Sequence, residues 1–304
     1  MSGRELDAAG ITDPALRASY ETCRRLNAAH GKTYYLATLL LPPAKRPYVH
    51  ALYGFARYAD EIVDDLASTL TDAEKADWLI GWGSRFLAEV AAGGSEHPVS
   101  RAVVDTVRRW DIPLALFEDF LTSMRMDLTV TDYKTYEDLM VYVWGSAAVI
   151  GLQMVPVLEP TVPREIAEPY AADLGIAFQL SNFIRDVGED LRRGRVYLPA
   201  EDLAVFGVDR ERLARGVVDG PVRRLLAFEV ARTRELYRAA APGVRLLDPT
   251  SRDCLRTAIR LYGGILDEVE RADYQVLDRR VAVGAGRRLR VAVPGLARAY
   301  AARR

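Results

Sequence analysis

QLSNFIRDVGED, residues 179–190, sets Gln179, Asn182, Asp186 and Asp190 at steps of three, four and four. At 100° per helical residue these four form one polar stripe along about three turns. Leu180, Phe183, Ile184 and Val187 fill the positions between. The pattern predicts a helix that is polar on one side and buried on the other. YADEIVDD, residues 58–65, repeats the device, with Asp60 and Asp64 one turn apart. Stepping back along that face brings in Arg57 and then Tyr53.

The plainest account of either stripe is a face turned to water. Like charges at i, i+4, however, repel by a few tenths of a kcal/mol, and aspartate is a poor mid-helix residue. A chain that does this twice needs a compensating charge. Mg²⁺ prefers carboxylate, water and phosphate oxygens and seldom takes an all-protein cage. Arginines stand beside both ladders, Arg57 before the first and Arg185 within the second. Their planar forks suit phosphate oxygens. Aspartate pairs with arginines on two helices describe a Mg²⁺–diphosphate clamp better than a solvated surface.

The rest of the chain predicts helix after helix. Apolar residues at three- and four-residue spacing mark 14–29, 47–66, 72–92, 98–110, 113–126, 135–158, 163–191, 220–241 and 250–278. Asp13 and Thr71 stand where N-caps belong, and Pro14 and Pro113 suit first turns. No hairpin signal, short repeat or long linker interrupts them, so the expectation is one all-α domain, 1–304, of many antiparallel helices. Residues 139–158 carry no charge, about the length that spans a bilayer. Tyr142, Trp144, Ser146, Gln153 and Pro156 dilute that run, and Gly145, Ala147, Ala148 and Gly151 are small. It is expected to be a buried helix whose small residues admit either a neighbouring helix or a long apolar ligand.

Composition narrows the classes. The chain has 304 residues, half of them hydrophobic, and a formal net charge of −1, which points away from nucleic acid. Cys23 and Cys254 have no metal or redox spacing, and three histidines are too few and scattered for a His-based metal centre. The charged N-terminus does not read as a signal peptide. A cytoplasmic protein is expected.

YGFARYADEIVDD (53–65) and QLSNFIRDVGEDLRRGRVYLP (179–199) resemble the two signature segments of the squalene/phytoene synthase family. HGKTYYLATLLLP (30–42), YVWGSAAVIG (142–151) and LYGGILDEVERADYQVLDRRV (261–281) are similar to its N-terminal, central and C-terminal segments, in the expected order. The likeness is strongest to actinobacterial phytoene-forming members. It implies an all-α class I isoprenoid synthase fold, with helices around a central apolar cavity. It implies Mg²⁺, with Mn²⁺ able to substitute, on Asp60, Asp64, Asn182, Asp186 and Asp190. Arg57, Arg185 and Arg279 would hold diphosphate, with Lys32 beside them. Tyr53 would lie near the reacting carbons. Tyr34, Tyr142 and Gln179 would line the cavity, and Tyr262 would reach toward the diphosphates. Each tyrosine has a plainer reading, as core with its hydroxyl satisfied.

The implied reaction joins two geranylgeranyl diphosphates head to head to give phytoene, without NADPH. Squalene, dehydrosqualene or hydroxysqualene synthesis from two farnesyl diphosphates stays open. So, more distantly, does a non-catalytic helical scaffold; a terpene cyclase fits NFIRDVGED poorly. Three positions depart from the family pattern: Gly31 where serine is frequent, Gly145–Ala148 where Val-Ala-Gly is usual, and Glu61 where many members carry Asp. The tail from Arg287 to Arg304 carries six arginines and no acid, among Leu289, Val291, Val293, Leu296 and Tyr300. It is either a solvated helix or a peripheral contact with anionic lipid. Oligomeric state is not legible.

Overall fold

The structure, a computed structural model, describes residues 2–64 and 69–303. In chain order its helices are α1 (Ser2–Ala8), α2 (Pro14–His30), α3 (Lys32–Thr38), α4 (Arg46–Asp64), α5 (Asp72–Ala92), α6 (Ser100–Trp110), α7 (Ala115–Met126) and α8 (Tyr136–Val143). A π-helical turn, Trp144–Ala148, leads into α9 (Val149–Leu158). There follow α10 (Arg164–Arg192), α11 (Ala200–Val205), α12 (Arg210–Ala214), α13 (Gly220–Ala240), a 3₁₀ turn at Ala241–Leu246, α14 (Pro249–Arg271) and α15 (Ala285–Ala301). The described residues hold no strand beyond one isolated bridge, Pro160 to Leu247.

Local chemistry sets the ends. The Asp13 carboxylate accepts from the Leu16 amide, with Pro14 in the first turn of α2. Thr71 and Glu74 form a reciprocal capping box on α5. The predicted helix 250–278 stops instead at Arg271, because Asp273 and Tyr274 turn left-handed (φ 50° and 61°). Short helices α1, α3, α11 and α12 carry too few turns for a periodic signal. The predicted helix 47–66 runs to Asp64, and its last two residues lie outside those described, as do Arg304 and the side chains of Asp64 and Leu289.

The uncharged run 139–158 is long and apolar enough to cross a membrane, but 67% of its most apolar window is buried inside the fold. Its small residues serve both expected purposes. Alanine-sized side chains at Gly151 and Gly175 would come within 2.3 Å of the Ala171 carbonyl and 2.5 Å of the Ala147 carbonyl, so α9 and α10 pack backbone to backbone. The same stretch, from Ser146 to Leu158, lines one wall of an apolar cavity of about 240 Å³. Helices α4, α10 and α14 supply the other walls.

Candidate active site

The second ladder sits on α10 as the spacing predicts. Asn182 Nδ2 donates to Gln179 Oε1 at 3.4 Å, and Gln179 lines the cavity. Asp186 holds two guanidinium groups. Arg185 donates through Nε and Nη2 at 2.8 and 2.5 Å, and Arg280 donates through Nη2 at 3.1 Å, with its Nε 2.9 Å from Oδ1 as an ion pair. Burial works against the charge of Arg185, yet the hydrogen bond and charge of Asp186 outweigh it and keep the guanidinium firmly protonated. Burial, then Asp186 and Glu189, push the Asp190 carboxyl up to about 7.

On α4, Arg57 donates to Asp60 at 2.8 Å and to Glu61 at 3.2 Å. Glu61 also lies 3.5 Å from His30, so it supports the edge of the site rather than sharing the Asp60 face. Tyr53, one turn deeper than Arg57, lines the cavity, and burial raises its phenol to about 12. The phenol stays neutral and presents a ring face.

Tyr34, Tyr53, Phe178 and Tyr262 form an aromatic group at this end of the cavity. Tyr34 lies 4.7 Å from Tyr262, 6.2 Å from Tyr53 and 6.2 Å from Phe178, centroid to centroid. Burial raises the phenols of both Tyr34 and Tyr262, and the charge of Arg185 works against that rise in each. Gly31 is explained here. A Cβ at residue 31 would fall 2.6 Å from both Tyr53 Cε2 and Asn27 Oδ1, so the Tyr53 ring fills the space a serine would need. Lys32 is exposed, two residues from Tyr34 on α3.

One expectation is corrected. Tyr142 does not line the cavity. Its hydroxyl donates to Asp127 Oδ2 at 2.7 Å, and Tyr197 donates to Asp127 Oδ1 at 2.8 Å. Tyr142 stacks with Tyr197, and Tyr197 with Phe183, in a cluster that also takes in Tyr133. The C-terminal segment brings in a residue that the sequence did not single out. Arg280 pairs with Asp186 although its side chain is 56% exposed, while the likewise exposed Arg279 makes no ion pair with the ladder among the described residues. In this irregular stretch neighbouring side chains diverge, and helical spacing gives no guide to which one turns inward. Asp127, Tyr197 and Arg280 carry no periodic signal and were legible only as isolated polar residues.

The donor set fits a divalent cation of Mg²⁺ type. Asp186 and Asp190, one turn apart on α10, and Asp60 on α4 offer hard carboxylate oxygens, and among the described residues no three such side chains converge on one point, which leaves coordination positions to water and phosphate.

An apolar, aromatic-lined cavity with carboxylates and guanidinium groups at one end of an all-helical fold defines an isoprenoid synthase. The chain matches the squalene/phytoene synthase family over residues 27–287. It is 39% identical to the phytoene synthase of Arthrospira platensis, covering 89% of this chain and 90% of that one. It is 37% identical to the 15-cis-phytoene synthase of Synechococcus elongatus, covering 90% and 91%. Among solved structures, a dehydrosqualene synthase in complex with ligand superposes with a TM-score of 0.85 at 26% identity, covering 94% of this chain and 98% of the other. Squalene synthase HpnC from Alicyclobacillus acidocaldarius gives 0.79 at 26% identity, covering 88% and 98%. The chain belongs to the squalene/phytoene synthase family.

Proposed function

We propose that this prenyltransferase condenses two geranylgeranyl diphosphates head to head to phytoene by way of prephytoene diphosphate. One observation carries the chain length. The cavity wall on α10 runs from Gln179 to Ala167, about 18 Å at helical rise. A C20 prenyl chain has fifteen bonds along its main chain. At the roughly 1.2 Å per bond of an extended backbone it measures about 18 Å, against about 13 Å for C15. Likeness to phytoene synthases over nine-tenths of the chain agrees.

Asp60, Asp64, Asn182, Asp186 and Asp190 would hold Mg²⁺, which when bound supplies Lewis acidity to the leaving diphosphate oxygens. Arg57, Arg185 and Arg280 place fixed positive charge where negative charge develops as the allylic C–O bond breaks. Lys32 and Arg279 add charge from exposed positions. The faces of Tyr34, Tyr53, Phe178 and Tyr262 favour the allylic cation by about 0.5–2 kcal/mol each. The apolar walls exclude the water that would convert it to an alcohol. The second substrate's double bond attacks the cation, and proton loss closes the cyclopropane. Ionisation of that intermediate, rearrangement and a second proton loss give phytoene.

The decisive experiment is product analysis with C15 and C20 diphosphates and Mg²⁺, in wild type and in Asp60→Asn, Asp64→Asn, Asp186→Asn and Asp190→Asn. Phytoene is expected from C20, with each variant losing tenfold or more, at least 1.4 kcal/mol. A C30 hydrocarbon formed faster than phytoene would replace this reading with the farnesyl one.

The hydrocarbon product must leave into lipid, and α15 offers the surface. Arg287 and Arg298 are tied inward to Asp267 and Asp253, and Arg303 donates to a Leu40 carbonyl. Half of the tail's six arginines therefore dock the helix, and Val293, Leu296 and Tyr300 face outward. Unchanged vesicle binding after deletion of 285–304 would remove the lipid role.

A further inference from the structure

The walls of the cavity share a far end. Along α4 the order from the carboxylates inward is Asp60, Tyr53, Val49; along α10 it is Asp186, Gln179, Ala167; along α14 it is Tyr262, Ala258, Cys254. Helix α9 runs antiparallel to α10 and ends there at Leu158.

Lys45, just before α4, sits at this end with its side chain 8% exposed. Its ammonium lies 2.5 Å from Glu159 Oε2 at the end of α9 and donates to Ser251 Oγ of α14 at 2.9 Å. It is also 3.7 Å from Oδ1 of Asp248, the N-cap of α14. One cation thus joins the ends of three walls. The backbone completes the closure. The Thr161 amide donates to the Leu246 carbonyl at 2.6 Å, the Asp248 amide donates to the Glu159 carbonyl at 2.7 Å, and Pro160 bridges to Leu247. Glu159 takes a left-handed turn (φ 53°) that swings the chain across the end. Leu158 and Leu247 flank this crossing and line the cavity.

Nothing in the diphosphate chemistry uses Lys45. The Lys45 side chain is buried but Glu159 is 51% exposed, so solvent screening makes the pair a weak source of stability. Its consequence here is geometric.

We propose that Lys45 is a positioning residue for the cavity floor. By holding the 158–161 and 246–248 segments together it fixes the depth of the cavity, and with it the longest prenyl chain the enzyme accepts. This rests on the prenyl-diphosphate reading above. A C25 chain, about 23 Å extended, overruns the 18 Å wall and meets Leu158 and Leu247.

The test compares kcat/KM for C20 and C25 diphosphates in wild type, Leu247→Ala, Lys45→Met and Glu159→Gln. Leu225→Ala serves as a destabilised control, since its side chain is buried in α13 away from the cavity. Wild type is expected to favour C20 at least tenfold. Leu247→Ala and Lys45→Met should narrow that preference at least tenfold, and the control should leave it unchanged. Should Lys45→Met not accumulate as folded protein, Glu159→Gln keeps the shape, removes the charge and should shift the preference in the same direction.

An unchanged preference in the folded variants overturns the proposal. So does an equal shift in Leu225→Ala, because the floor would then answer to general loosening. Calorimetric binding of the unreactive C20 and C25 thiolodiphosphates reads the floor without turnover. A wild type that turned over neither substrate yet bound C20 over C25, with the variants relaxing that choice, would sink the phytoene reading and keep the floor. Equal binding of both lengths by wild type would sink the floor.

Discussion

Gly188→Ala tests how the second ladder is assembled. Gly188 lies between Asp186 and Asp190, and a Cβ there would stand 2.0 Å from the Leu277 carbonyl oxygen, where ordinary contact begins at 3.4 Å. The obstacle is backbone, so no rotamer relieves it. The 277–280 segment must move off α10 by about 1.4 Å. Alanine gains up to about 1 kcal/mol in helix propensity, while overpacking costs about 1–3 kcal/mol. The net is a loss of roughly 0–2 kcal/mol, or a few degrees in Tm. Activity should suffer more. The displaced segment carries Arg280, whose 3.1 Å hydrogen bond and 2.9 Å ion pair to Asp186 do not survive such a shift. Hydrogen bonds to charged groups are worth about 1.5–3 kcal/mol. Arg280 is half exposed, so solvent screening favours the lower end. The expected loss in kcat/KM is about tenfold. In an Arg280→Ala background the same change should cost less than twofold, because the contact is already gone. An alanine variant with wild-type kcat/KM and a Tm within one degree would refute this account of the segment.

Arg280→Ala should reduce kcat/KM by tenfold or more and Arg279→Ala by less than threefold, measured side by side; the reverse order would return the role to Arg279. Gly31→Ser should displace the Tyr53 ring and lower turnover at least tenfold with bound diphosphate little changed, a split that kcat and inhibition by inorganic diphosphate would reveal. Burial, with the charges of Arg24 and Arg46 adding to it, lowers His50 to about 3, so the native state keeps the ring neutral. In the unfolded chain it titrates near 6.5. Its contribution is therefore complete above about pH 6.5 and lost progressively as the pH falls toward 3. Urea midpoints between pH 7 and 4.5 should fall less steeply in His50→Gln, and parallel slopes would exclude His50 as the source.

The sequence by itself determined the helices and the stripes on them. A period near 3.6 and the position of an N-cap are local properties, so α2, α4, α5 and α10 were legible nearly to the residue. The carboxylates of the second ladder were legible for the same reason, since residues one turn apart share a face whatever surrounds them. Tertiary structure decided the rest. Tyr142 and Tyr34 look alike along the chain, both tyrosines among apolar neighbours. Only the packing of α8 against α10 and the nearby Asp127 turns one hydroxyl away from the cavity, while α3 delivers the other to Arg185. Arg279 and Arg280 are adjacent in an irregular segment, where inward or outward direction depends on the approach that Gly188 permits. The cavity floor is the clearest case. Lys45, Glu159, Asp248 and Ser251 lie far apart in sequence, and each alone reads as an ordinary cap or surface charge. They become one cluster because the start of α4, the end of α9 and the start of α14 are packed at the same place, a distance relation that no local period encodes.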